Sequence, residues 1–100
     1  MKSITNEIKK EIEEIVYDFF VSECDVERED LTPETNVIDD LDGDSLMFLE
    51  LIEVLKKKYN LAIQMQVLGK YLLRHPAETI KQVIETSYMI YEKENDIVEE

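Results

Sequence analysis

Residues 39–59 read DDLDGDSLMFLELIEVLKKKY, and a change of pattern inside this stretch decides the architecture. Up to Asp44 it is acidic and has no period. From Ser45 onward, Leu46, Leu49, Ile52, Leu55 and Tyr59 recur at the spacing of an amphipathic helix. Met47, Phe48, Leu51 and Val54 widen the apolar stripe beyond one face. Lys56, Lys57 and Lys58 fall in the last turn, where cations complement the negative end of the helix dipole. That role accounts for the run more plainly than a binding patch does. The stretch predicts a helix from Ser45 to about Tyr59, reached from an acidic loop, with Leu46 turned inward to fix where the helix begins.

Toward the N-terminus the acidic loop extends back to about Glu23. It holds ten of the 24 acids in 22 residues, opposed only by Arg28. Loops this long in compact domains are usually functional. Val26, Leu31, Val37, Ile38 and Leu41 are its expected anchors to a core. Before it, Ile4, Ile8, Ile12, Ile15, Val16, Phe19 and Phe20 share a stripe opposite Lys9, Lys10, Glu13 and Glu14. This predicts a first helix capped by Ser3 or Thr5 and running to about Ser22.

Toward the C-terminus, a third helix is expected from about Gln64 to Arg74, with Val67, Leu68, Tyr71 and Leu72 inward and Gly69 weakening it. Pro76 suits the first position of a fourth helix, with His75 a poor N-cap and Glu78 in the first turn. Ile80, Val83, Ile84, Ser87, Tyr88 and Tyr91 form its stripe. From Glu92 the chain is expected to be a frayed or solvated acidic tail. The predicted organisation is a single domain over 1–91 followed by an acidic tail over 92–100. The fold class is all-α, a small four-helix bundle with a long acidic loop between the first and second helices.

Composition agrees. Two Gly and two Pro in 100 residues mean few turns and long elements, and 44% hydrophobic residues suffice for one core. The net charge of −13 repels phosphate backbones and anionic membrane surfaces, which argues against nucleic acid, and it invites a protein partner with a basic patch. No window approaches a membrane span, the N-terminus has no export-type apolar segment, and the one cysteine has no partner for an internal disulfide. These features point to the cytoplasm. Catalytic groups are sparse. His75 is the one histidine, there is no Gly-rich phosphate loop, and Cys24 sits between Glu23 and Asp25, which raise a thiol pKa.

The segment Asp39 to Leu46 admits two specific readings. With Gly43 at the sixth position of a calcium loop, Asp40, Asp42 and Asp44 fall at the third, fifth and seventh. The first and twelfth positions are then Ile38 and Leu49, so both terminal carboxylates are missing and no metal site is assigned. The second reading is an attachment site. Gly43 relaxes the backbone before a helix, and a phosphate ester on Ser45 would meet free N–H groups and the positive end of the dipole.

At these residues the chain resembles the acyl carrier protein family. Asp44-Ser45-Leu46 follows an acidic, Gly-containing loop and opens an amphipathic helix that ends in Lys-Tyr59-Asn60-Leu61. The likeness extends over most of residues 4–87. It implies that Ser45 Oγ receives a 4′-phosphopantetheine arm from a phosphopantetheinyl transferase, with coenzyme A and a divalent metal. The arm's thiol would hold acyl intermediates as thioesters for fatty acid, lipid or polyketide-like biosynthesis, and the protein itself would be no enzyme. Gly43, Asp44 and Leu46 would shape the site. Asp42, Asp44, Glu50 and Glu53 would face basic patches on acyl-transferring and acyl-modifying enzymes, although for Glu50 and Glu53 an ordinary exposed face is an equal account.

The family's acyl chain folds into a cleft between the helices. Met47 and Phe48 would contact that chain or a partner, or simply fill core space. Departures from the family pattern are the apolar Met47 and Phe48, the lysine run, a longer apolar third helix and an extension over Tyr88 to Glu100. They suggest a specialised, monomeric carrier. The alternatives are an aminoacyl or peptidyl carrier, which shares Gly-Asp-Ser-Leu, and an unmodified helical interaction module. Because the charge is spread over loop and helices alike, the melting temperature should rise with added salt as repulsion is screened. A melting temperature independent of ionic strength would contradict that account.

Overall fold

Two threonines set the starts of the outer helices. The computed structural model describes residues 3–41, 43, 45–94 and 97, with Ser45 described through its backbone alone. Thr5 Oγ1 accepts the Ile8 N–H at 3.1 Å and opens α1, Asn6–Cys24. Thr79 Oγ1 accepts the Gln82 N–H at 3.2 Å while Gln82 Oε1 accepts the Thr79 N–H at 3.1 Å. This reciprocal capping box opens α4, Ile80–Lys93. Between them lie α2, Ser45–Tyr59, and α3, Met65–Arg74. A short 3-10 turn, Arg28–Asp30, sits in the connection after α1. Among the described residues there is no strand, only an antiparallel bridge between Asn36 and Thr79. The expected all-α four-helix arrangement is observed.

The core follows from the stripes. Ile12, Val16 and Phe20 of α1 are buried with Phe48, Leu51, Ile52 and Leu55 of α2, Leu68 and Tyr71 of α3, and Ile80, Val83 and Ile90 of α4. α1 packs against α4 and α2, and α2 also meets α4. Tyr17 joins the core with the Arg28 guanidinium 3.6 Å above its ring. The Cα radius of gyration is 12.8 Å, close to the ~13 Å of a compact 100-residue body. Tyr59 ties three helices together. Its hydroxyl donates to Glu11 Oε1 at 2.6 Å, and its ring meets Tyr91 edge-on at 5.2 Å. Burial first, then the Glu11 carboxylate, holds the Tyr59 hydroxyl well above its ordinary pKa. Among the described residues no helix is long and apolar enough to cross a membrane.

Four expectations are corrected. First, α1 runs two residues past Ser22 and ends where Asp25 takes a left-handed conformation, φ 53°, with its N–H on Val21 O. Second, α4 begins after Thr79 and not at Pro76, because the Thr79–Gln82 box satisfies helix-start donors that Pro76 and His75 leave open. His75 instead closes α3, its N–H on Tyr71 O at 2.9 Å and its ring stacked on Tyr71 at 4.6 Å.

Third, Leu46 does not turn inward; it is 61% exposed. The buried residues Phe48, Leu51, Ile52 and Leu55 define the inner face, and at 3.6 residues per turn Leu46 lies about half a turn away from it. Fourth, the chain beyond Glu92 is not wholly solvated. α4 continues to Lys93, the Glu94 carboxylate accepts the Ala62 N–H, and Ile97 is fully buried. Burying such a side chain stabilises by roughly 1.5–3 kcal/mol, enough to outweigh screened surface repulsion.

The Thr79 cap gives the fold its clearest local test. Replacing Thr79 with Ala should destabilise the protein by about 1 kcal/mol through loss of the cap. Urea denaturation measures this, and a midpoint shift indistinguishable from zero would remove the cap from the account.

Candidate functional site

Ten residues before α2 the backbone is fastened to the start of α4. Ile80 N–H donates to Thr35 O at 3.0 Å, Lys81 N–H to Pro33 O at 2.9 Å, and Val37 N–H to Glu78 O at 2.8 Å. Asn36 then organises a tight turn: its Oδ1 accepts the Ile38 and Asp39 N–H groups, and its own N–H donates to Asp40 Oδ2 at 2.9 Å. Val37 O closes the structure by accepting the Gly43 N–H at 2.8 Å. The start of α2 is thus held by Val37, and Val37 by the capped end of α4.

Gly43 is required for space. Its φ is not positive, so the backbone does not call for glycine on conformational grounds. A Cβ there would fall 2.8 Å from Val37 Cγ1 and 3.0 Å from Val37 O, and Val37 is buried. The same Cβ would lie 3.3 Å from Met47 Sδ. Met47 is half-buried beneath the glycine and takes the Cys24 thiol at 3.8 Å. The Cys24 pKa is raised, by burial first and by Glu23 second.

Immediately beyond, α2 opens at Ser45 with no acidic residue in its first turn. Its first N–H groups have no intrahelical acceptor, and the positive end of the dipole stands there. Asp42 and Asp44 lie outside the described residues, and Ser45 is placed through its backbone. Glu50 and Glu53 are exposed on α2, and Glu53 Oε1 pairs with Lys56 Nζ at 3.6 Å. Leu46 is exposed beside them.

An apolar cavity of about 230 Å³ lies next to this assembly, lined by Phe20, Val37, Ile38, Phe48, Leu72, Pro76, Ala77, Glu78 and Val83. Phe48 is both core and cavity wall, whereas Met47 is not among the lining residues. Ile38, expected as an anchor, is 53% exposed and stands at the cavity. The contribution of Pro76 and Ala77 had no signal in the local pattern, because it depends on where α4 starts.

The family model described as a phosphopantetheine attachment site matches residues 14–83, from the middle of α1 into α4. The chain belongs to the acyl carrier protein family. It is 60% identical over 97 residues to an acyl carrier protein homolog of Clostridium acetobutylicum, covering 97% of this chain and 94% of that relative. It is 38% identical over 48 residues to an acyl carrier protein of Syntrophobacter fumaroxidans, covering 48% of this chain and 59% of the relative. With an acyl carrier protein of Chlorobium phaeobacteroides the identity is 40% over 53 residues, 53% of this chain and 68% of the relative. The protein is therefore an acyl carrier that works through a 4′-phosphopantetheine arm. Members of this family are carriers rather than catalysts, and they meet transferases and acyl-processing enzymes.

The packing at Gly43 is open to direct measurement. Gly43→Ala should destabilise the protein by about 1–3 kcal/mol, since Val37 or the loop must move to admit a methyl group. An unchanged urea midpoint would show that the loop gives way freely.

Proposed function

We propose that Ser45 bears the phosphopantetheine arm and that the acyl group shelters in the cavity between Phe48 and Val37. The observation that carries this reading is the start of α2 at Ser45, directly after a loop locked by the Val37–Gly43 hydrogen bond. The local chemistry fits the group. A phosphodiester anion on Ser45 would sit beside N–H groups that have no intrahelical acceptor, at the positive end of a 15-residue helix. The arm, when bound, supplies a thiol that holds acyl groups as thioesters. Gly43 and Asp44 shape the approach to the serine, and Leu46 stands exposed beside it as an apolar contact for an incoming enzyme.

The recruiting surface in this reading comprises Asp42, Asp44, Met47, Glu50 and Glu53, facing basic patches on a phosphopantetheinyl transferase and on acyl-processing enzymes. Glu50 contributes more than Glu53, whose charge is partly neutralised by Lys56. The carrier unit is residues 1–91, acting as a monomer in the cytoplasm and catalysing nothing itself. Residues 92–100 form an acidic extension, of which Ile97 is buried against the core. Intact mass tests the central claim. Co-expression with a broad-specificity phosphopantetheinyl transferase should add the mass of one phosphopantetheinyl group to the wild type and nothing to Ser45→Ala. An equal gain in both, or none in the wild type, would overturn it.

A further inference from the structure

The charge of this chain is segregated. All 24 acids lie before Val54 or after Ala77, and the segment between them carries five of the 11 basic residues. Lys56 is paired with Glu53 and Lys58 with Glu11 at 3.7 Å. Lys70 and Arg74 have no ion-pair partner among the described residues, and both are exposed on α3. They share a helical face with Gln66, Gly69 and Leu73, at the i, i+3, i+4, i+7, i+8 spacing. Leu73 is 84% exposed, the most exposed of the large apolar side chains among the described residues.

Gly69 supplies an independent observation. It lies in the middle of α3, where glycine is less stable than alanine. A Cβ there would meet nothing within 4 Å, and its φ is not positive. Neither packing nor backbone conformation within the fold calls for a glycine. Its effect is to leave the outer backbone of α3 bare between two cations and a projecting leucine, which permits close approach from outside.

We propose that the outer face of α3, formed by Gly69, Lys70, Leu73 and Arg74, is a second docking surface, for a partner protein that presents an apolar helix face rimmed by carboxylates. Leu73 is the anchor, Lys70 and Arg74 pair with the rim, and Gly69 lets the partner's surface reach the helix backbone. Charge complementarity selects the partner. A surface of −13 repels an anionic membrane or a nucleic acid as a whole, and one leucine is a marginal membrane anchor. It also repels a second copy of itself. A protein can oppose both signs at once, with basic groups toward the acidic loop and acidic groups toward α3. This surface does not depend on Ser45 being modified.

The test uses the full chain, ¹⁵N-labelled, and a synthetic amphipathic helical peptide with leucines along one stripe and glutamates on both flanks. The peptide should shift the amides of residues 66–74, and the effect should fade as salt rises. Leu73→Ser and Lys70→Glu should each weaken binding roughly tenfold. Gly69→Ala should raise the melting temperature and still weaken binding. Equal binding by Leu73→Ser, equal shifts from a lysine-for-glutamate peptide, or no shift over 66–74 would overturn the proposal. So would stronger perturbation of these amides by vesicles of anionic phospholipid, or a concentration-dependent dimer abolished by Leu73→Ser.

Discussion

Val37 is the residue on which the candidate site depends. Its N–H is held by Glu78 O, its carbonyl holds the Gly43 N–H, and its side chain fills the space that a Cβ on Gly43 would need. One buried valine thereby transmits the position of α4 to the first turn of α2. Without this link the long acidic connection would join two helices with no defined approach to Ser45. The same side chain also forms a wall of the apolar cavity, so the start of α2 and the cavity share a structural member.

The acidity of the chain is tolerated because the apolar contacts are well distributed. Each helix contributes fully buried side chains, the acidic loop contributes Leu31 and Val37, and Ile97 closes the core from the far end. Burial of this kind outweighs repulsion among exposed carboxylates, which water and salt screen. The negative charge is left available on the surface. The stretch from Val54 to Ala77 interrupts it in sequence, with five basic residues and no acid.

Much of the fold was legible from periodicity. Three of the four helices lie within two residues of where the apolar repeats place them, because each buries one broad stripe. α4 starts after Thr79 and not at Pro76 because proline at a first helical position is a weaker signal than the reciprocal cap that the three-residue spacing from Thr79 to Gln82 allows. Leu46 faces outward, against its apolar character, because the apolar residues of α2 run more than halfway round the helix. When a stripe is that wide, periodicity leaves its centre undefined, and only the positions of α1 and α4 select Phe48, Leu51, Ile52 and Leu55 as the inner set.

By itself the sequence determined the helical class, the order of the elements, the acidic loop and the motif Gly43-Asp44-Ser45-Leu46. These are local matters of spacing, charge and residue type. Tertiary structure alone decided which face of α2 is buried, why position 43 is glycine, where the cavity lies and what becomes of Ile97. Each of these depends on contacts that the three-dimensional packing brings about, as Val37 meets Glu78 at the start of α4, and no local pattern records such meetings.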